Sequence, residues 1–236
     1  MLGTLVINGI SSDNYNMYLT DAGIYGMAER DIEKVKVAGR NGDLLLDNHR
    51  YNNVPLSYPV IIRDDFSKNY QDFMDFILSN KGYMKVEDSF NPDMFMYAVY
   101  TGEVDAKKVE RYGKDGVFVM SFERKPEKYF KSGEFPIEIT SNTSIFNQYR
   151  TDALPIVRVY GTGALTIGGT TITINSVNDY VDIDCETQDA YKGSTNCNGN
   201  ITLNNGEFFR LKSGANAITK ANTITKVVVI PRWWTL

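Results

Sequence analysis

The chain has little of the chemistry that most catalytic sites need. It contains one histidine, His49, and two cysteines, Cys185 and Cys197, among 236 residues. His49 lies between an asparagine and an arginine, which is typical of a solvated turn, and the cysteine spacing is not that of a zinc site. The sequence has no Gly-x-Ser-x-Gly nucleophile elbow, and no lysine follows the glycines at Gly163 and Gly168 to reach a phosphate. We therefore expect no enzyme, no bound metal and no cofactor.

Long apolar runs and an excess of basic charge are also missing. No segment approaches the roughly 20 apolar residues needed to span a bilayer. The first residues lack the basic and apolar regions of a signal peptide. The formal net charge of −4 gives no general attraction to nucleic acid. We therefore expect neither membrane insertion nor stable binding to DNA.

Aromatic and β-branched residues recur in short runs, which favours β structure. The one convincing helix is Phe66–Ser79, where Leu78 belongs to the apolar stripe and Asp65 precedes the first turn. Strand patterns surround this helix, including a predicted hairpin from Lys107 to Glu123. Residues 1–130 therefore predict an α+β domain, in which the helix packs on one face of an antiparallel sheet.

The second half of the chain has a different pattern. Residues 131–150 interrupt the strand periodicity with Ser, Gly and Asn, and they are expected to be a linker. From residue 151 onward the chain predicts only short, regularly spaced strands, one of them Glu207–Leu211, with a turn at Gly168-Gly169. Residues 151–236 therefore predict a β-sandwich. The whole chain is predicted to be mainly β with one helix.

Two turn signals lie close together between Arg30 and Asp64. A strand pattern at Asp31–Val37 leads to Gly39–Gly42, where Asn-Gly predicts a type I′ hairpin turn. The run Leu44–Leu46 follows, and Asp47-Asn48 predicts a second reversal. Because successive strand side chains point to opposite faces, the three leucines make both faces of the hairpin apolar. So short a hairpin cannot cover both faces itself, and either the rest of the domain or another copy of the protein must cover it.

Two further features leave other functions open. Asp182, Asp184 and Glu186 alternate with apolar residues on a predicted strand, where paired carboxylates could cleave a glycoside or bind Ca²⁺. The competing interpretation is the solvated outer face of a sandwich strand. Trp233 and Trp234 could stack on sugar rings, but adjacent strand residues point in opposite directions, so one tryptophan is expected in the core. The corresponding alternatives are a hydrolase and a carbohydrate-binding adhesin.

Two groups of residues together form a recognisable signature. The first is the Arg30-Asp31 pair, the hairpin Gly39–Asp47 and the tyrosine-containing strand that follows it. The second group lies in the C-terminal half and consists of Asp182–Thr187, Ala190-Tyr191, Gly214–Asn216 and Ile230–Trp234. In this order, the two groups resemble the distal tail protein (Dit) family of long-tailed, siphovirus-type bacteriophages.

The resemblance implies a structural protein of the virion. Members of this family form a hexameric ring, a baseplate hub that joins the tail tube to the tail tip and leaves a channel for the tape-measure protein and then DNA. The resemblance also implies that the C-terminal sandwich is galectin-like and that receptor-binding proteins dock on it. The expected partners are thus further copies of the chain, the tail tube protein, the tail tip or hub protein, the tape-measure protein and receptor-binding proteins. Assembly is expected in the host cytoplasm.

The hairpin is the expected contact between subunits of such a ring. A head-to-tail ring needs two different patches on each subunit, and an apolar hairpin could supply one of them by packing or strand addition. Polar residues at the rim of the contact would fix its register. The residues expected at the subunit interface are Arg40, Asp43, Leu44, Leu45, Leu46, Asp47 and Arg50.

Overall fold

The computed structural model describes residues 2–102, 110–112 and 114–236. The chain divides into two compact units, Met1–Lys128 together with Leu236, and Tyr129–Thr235. The start of the hairpin predicted from Lys107 lies outside the described residues. Within the described ranges, no helix is long and apolar enough to cross a membrane.

The described part of the first unit contains one α-helix, α1, which spans Phe66–Ser79 as predicted. The strands that begin in this unit are β1 (Leu5–Ile7), β2 (Ile10–Ser11), β3 (Met17–Leu19), β4 (Ile24–Tyr25), β5 (Arg30–Val35), β6 (Leu44–Tyr51), β7 (Val54–Ile62), β8 (Met84–Asp88), β9 (Met94–Tyr100), β10 (Glu110–Tyr112) and β11 (Asp115–Phe130).

Most of these strands form one antiparallel sheet with the order β2-β1-β8-β9-β11-β7-β3, in which β4 also pairs with β7 and β10 with β11. In β7, every second side chain from Val54 to Ile62 is buried, because one face of the strand lies on the core. Helix α1 contributes Phe66, Phe73 and Ile77 to this core. The first unit therefore has the predicted α+β arrangement.

The capping of the first turn of α1 and the width of its apolar stripe differ from the sequence prediction. Asp65 has left-handed backbone with φ 48° and its side chain caps no backbone N–H. Instead, the N–H of Phe66 donates to the carbonyl oxygen of Lys114, at 3.0 Å. Leu78 is 66% exposed and therefore lies outside the buried stripe. A long-range contact, which local sequence does not encode, replaces the side-chain cap.

The second unit contains the remaining strands. These are β12 (Ile137–Ile139), β13 (Thr143–Asn147), β14 (Ile156–Gly161), β15 (Gly163–Ile167), β16 (Thr170–Ile174), β17 (Val181–Asp184), β18 (Asp189–Lys192), β19 (Thr195–Asn196), β20 (Ile201–Leu203), β21 (Gly214–Lys220), β22 (Ile224–Ile230) and β23 (Trp234–Thr235).

Two antiparallel sheets face each other across one core in this unit. Their strand orders are β12-β22-β14-β17-β18-β19 and β13-β21-β15-β16-β20. Val157 and Val229 of the six-stranded sheet share the core with Leu165 and Ile218 of the five-stranded sheet. The second unit is therefore a β-sandwich.

Residues 131–150, which the sequence predicts to be a linker, instead belong to the second unit. Within them, β12 pairs with β22 and β13 pairs with β21, so the Ser- and Asn-rich breaks are turns next to edge strands. Glu207–Leu211 differs in the opposite sense. It forms no strand and joins Ala153 only through an isolated bridge at Leu211.

Candidate functional site: the hairpin arm

We call residues 30–51, which contain β5 and β6, the arm. These two strands form a sheet of their own, which joins none of the other sheets of the described chain. Every residue of both strands is exposed or half-buried. Leu44, Leu45 and Leu46 are 40%, 58% and 45% exposed, respectively. The described chain therefore leaves the three leucines in contact with solvent.

The register of the arm places apolar side chains on both of its faces. Leu44 lies opposite Val35, and Leu45 lies opposite Lys34. Because directly opposite residues share a face, one face carries Leu44, Leu46 and Val35 and the other carries Leu45 and Ile32. Ile32 is 36% exposed.

The tip of the arm is an eight-residue loop, residues 36–43, and not the predicted two-residue turn. A type I′ turn on Asn41-Gly42 would need left-handed backbone at both residues. Gly39 and Gly42 have φ 78° and 79°, whereas Asn41 does not adopt a positive φ. Two separated glycines therefore reverse the chain, and the loop holds the predicted interface residues Arg40 and Asp43 at the tip.

The predicted reversal at Asp47-Asn48 is a bulge within one continuous strand. Strand β6 runs from Leu44 to Tyr51, and its register shifts so that residues 48–50 lie opposite the single residue Asp31. His49, with φ 55°, supplies the left-handed residue that the bulge needs. The chain therefore does not reverse at Asp47-Asn48.

Two ion pairs flank the bulge. Arg30 Nη2 lies 2.9 Å from Asp47 Oδ2, and Arg50 Nε lies 2.6 Å from Asp31 Oδ2. Asp47 and Arg50 therefore fix the register between β5 and β6 of the arm itself. The structure gives no ion pair to Arg40 within the described residues.

The hydrogen bond from Arg50 to Asp31 also changes the acidity of the carboxyl. This bond, followed by one from Asn48, lowers the pKa of Asp31 from the ordinary 3.8. The arginine stabilises the ionised form, so the ion pair persists to lower pH than an ordinary carboxylate would allow. Because the Arg50 side chain is 69% exposed and Asp31 is only half-buried, solvent screens the pair, which orients the arm and contributes little to its stability.

An arm of this kind is suited to binding another chain. Isolated two-stranded hairpins are marginally stable in water, and a sheet of two strands has unpaired N–H and C=O groups along both outer edges. The arm adds apolar side chains on both faces, and clustered exposed apolar groups mark interaction sites in soluble proteins. The arrangement can therefore bury leucines, pair a strand edge, or do both.

We call Asp182, Asp184 and Glu186 the acidic comb, and its environment differs from the solvated strand face that one interpretation of the sequence predicts. Asp182 and Asp184 are 5% and 8% exposed and thus do not form a solvated strand face. Asp182 accepts two hydrogen bonds from Arg158, from Nε at 2.7 Å and from Nη2 at 2.9 Å. Arg232 donates to both Asp184 and Glu186. Each carboxylate of the comb is thus committed to an arginine.

These arginines also oppose a hydrolytic role for the comb. The hydrogen bonds to Asp182 raise the pKa of the Arg158 guanidinium, so the cation remains in place at every physiological pH. A general acid must donate a proton to its substrate, whereas each carboxylate of the comb accepts hydrogen bonds from an arginine. Among the described residues, no group of three or more His, Cys, Asp or Glu side chains could hold a metal ion.

The tryptophans form no sugar-stacking platform. Trp233 is 8% exposed and belongs to the core of the second unit. Trp234 is half-buried against the same core, and its indole N–H donates to the carbonyl oxygen of Asp152 at 3.0 Å.

The other reactive side chains are placed as follows. Cys185 is buried, and burial raises the pKa of its thiol to about 12. His49 is exposed on the arm.

The chain was compared with known proteins. No protein-family model and no curated protein sequence matches it. The crystal structure of SPP1 Dit (gp 19.1), described as a paradigm of the hub adsorption apparatus in phages that infect Gram-positive bacteria, is similar with a TM-score of 0.71 and 15% sequence identity. The similarity covers 97% of this chain and 98% of that chain. Both units together therefore share the fold of a Dit protein.

Proposed function

We propose that the chain is a structural subunit of a phage tail hub and that it assembles into a ring through the arm. The observation that carries the proposal is the arm, a separate two-stranded sheet with apolar side chains on both faces and no buried residue. The shared fold with SPP1 Dit, whose description names a hub adsorption apparatus, supports the same role.

In the proposed ring, each subunit contacts two neighbours through two different surfaces, as any head-to-tail ring requires. The arm is one of these surfaces. Leu44, Leu45 and Leu46 pack on the neighbour, and Arg40 and Asp43 at the tip make the polar contacts at the rim. Asp47 and Arg50 contribute indirectly, because their ion pairs within the arm hold it in the shape that the neighbour binds.

The ring is proposed to be hexameric and to sit at the end of the virion tail. One face would meet the tail tube protein and the other the tail tip, with a central channel for the tape-measure protein and DNA. The β-sandwich would offer a surface to receptor-binding proteins. This function needs no catalytic residue, which agrees with the arginine pairing of Asp182, Asp184 and Glu186.

Negative-stain electron microscopy of the purified chain, combined with light scattering, tests the proposal. We expect closed particles with a central hole and a mass that is a fixed multiple of the 26.7 kDa subunit. Single subunits at every concentration up to the solubility limit would contradict self-assembly. Open filaments would show that the arm binds a second copy but that the rotation does not close.

A further inference from the structure

We propose that Asn41, at the tip of the arm, is a site of spontaneous deamidation and that the reaction marks subunits left outside the ring. The consequence for assembly rests on the proposed function, whereas the reaction itself does not. Asn-Gly pairs favour deamidation, because glycine has no side chain to hinder the attack of its nitrogen on the asparagine. The chain contains four such pairs, Asn8-Gly9, Asn41-Gly42, Asn198-Gly199 and Asn205-Gly206.

The reaction needs water and an asparagine side chain that is free to turn. The backbone nitrogen of the glycine attacks the side-chain carbonyl carbon of the asparagine. The amide nitrogen then leaves as ammonia, which carries away the proton of the glycine N–H. Water opens the resulting succinimide ring at either carbonyl and produces aspartate or isoaspartate. Hydrogen bonds that hold the asparagine amide or the glycine N–H therefore oppose the reaction.

The structure leaves Asn41 open to this attack. It is exposed in the eight-residue loop between β5 and β6. Within the described ranges, neither its side-chain amide nor the N–H of Gly42 has a hydrogen-bond partner. A Cβ added to Gly42 would meet no heavy atom within 4 Å outside its chain neighbours. The attacking nitrogen is therefore surrounded by space that water can enter.

Two of the other asparagines are exposed as well but are held at both ends of the side-chain amide. Asn8 donates to Asn80 and accepts from the N–H of Lys85, each at 2.9 Å. Asn198 accepts from the N–H of Ala190, and its amide donates to the side chain that begins β18. For either side chain to turn towards the following glycine, two hydrogen bonds must break. Exposure alone therefore does not decide which pair reacts.

The last pair is intermediate. The N–H of Gly206 donates to the carbonyl oxygen of Leu203 at 3.3 Å, so the attacking nitrogen is engaged while the Asn205 side chain is exposed. Each hydrogen bond that must break slows the attack by about twofold to tenfold. The expected order of reaction is thus Asn41 first, Asn205 second, and the two held asparagines last.

The product changes the tip of the arm where the neighbour is proposed to bind. Lys36 and Arg40 against Asp43 give residues 36–43 a formal charge of +1, and a carboxylate at position 41 cancels it. Isoaspartate also routes the main chain through the former side chain. Because polar groups at the rim fix the register of a contact, a modified arm fits the neighbour less well. An arm already packed on a neighbour loses the freedom that the attack requires.

Peptide mapping by mass spectrometry, after incubation of the folded chain in mildly alkaline buffer, tests the site. In dilute solution, where light scattering shows single subunits, we expect Asn41 to be lost at least about fivefold faster than Asn8 and Asn198. Equal loss at Asn41 and Asn8 would overturn the assignment.

The same incubation at concentrations where particles form tests the protection. We expect the loss of Asn41 to slow and that of Asn205 to stay the same, and an unchanged rate at Asn41 in the particles would refute protection by assembly. If no particles form at any concentration, the hub proposal fails, while the dilute sample still decides the site.

Two variants test the consequence for the ring. Asn41→Asp carries the charge of the product, and Asn41→Gln is the matched control that keeps an amide. We expect Asn41→Asp to weaken each contact between subunits by about 1.5-fold to fivefold, a loss that a closed ring repeats at every contact. The control should assemble like the unmodified chain. Equal assembly of the two variants in sedimentation velocity would refute the effect of the modification.

Discussion

Replacing leucines of the arm by aspartate should prevent ring assembly without unfolding the subunit. Leu44 and Leu46 lie on one face of the arm and are 40% and 45% exposed. Full burial of a leucine side chain is worth about 1.5–3 kcal/mol. Since slightly less than half of each side chain remains to be covered, the pair contributes about 1.5–3 kcal/mol to each contact between neighbours.

This free energy corresponds to a weakening of about tenfold to 150-fold at each contact in Leu44→Asp/Leu46→Asp. The desolvation of two new carboxylates adds to that value. A closed ring repeats the loss at every interface. Because slightly more than half of each leucine is already covered in the subunit, we expect each substitution to lower the subunit's own free energy of unfolding by about 1–2 kcal/mol, which leaves it folded.

Sedimentation velocity at several concentrations measures the effect, and circular dichroism during heating checks the fold. The matched control is Leu78→Asp, at a leucine of α1 that is 66% exposed and lies outside the arm. We expect the control to retain the mass of the unmodified assembly. An unchanged ring mass in the arm variant would refute the reasoning, as would an equal loss in the control.

Three further predictions concern single groups. Arg158→Met should reduce the free energy of unfolding in urea by about 2–3 kcal/mol, because it leaves the buried carboxylate of Asp182 unpaired; a change under about 0.5 kcal/mol would contradict this role. The carboxyl of Asp31 should titrate below 3.8 in NMR and move up in Arg50→Gln. Because its folded-state pKa is lowered, the contact with Arg50 stabilises the arm above the ordinary carboxyl pKa and is lost as the pH falls through the folded value; identical titration curves would contradict it. Cys185 should resist alkylation at neutral pH until the chain unfolds, because burial raises the pKa of its thiol to about 12; rapid alkylation of the folded chain, located by mass spectrometry, would be the opposite result.

The features that could be predicted from the sequence depend on local patterns. Helix α1 has the predicted bounds because its apolar spacing and its polar surroundings both lie within a short window. The mainly β architecture follows in the same way from alternation and turn residues. The three adjacent leucines of the arm also indicated apolar faces directly, because alternation on a strand admits no other arrangement.

The features that could not be predicted depend on contacts between distant residues. Asp182 and its partner Arg158 are 24 positions apart, and their pairing depends on which strands become neighbours in the sheet. The cap of α1 comes from the carbonyl of Lys114, far along the chain. The sequence predicts a reversal where His49 forms a bulge, because Asp and Asn are typical turn residues and the bulge depends on pairing with β5.

Photo-crosslinking at position 45 tests the central claim most directly. A benzoylphenylalanine in place of Leu45, which is 58% exposed on the arm, reacts with whatever chain lies against it. If the arm packs on a neighbouring subunit, irradiation of the purified protein will produce a ladder of covalently linked multimers, and the linked peptide will come from a surface outside the arm. If only single chains appear after irradiation at concentrations where particles are present, the arm does not join the subunits.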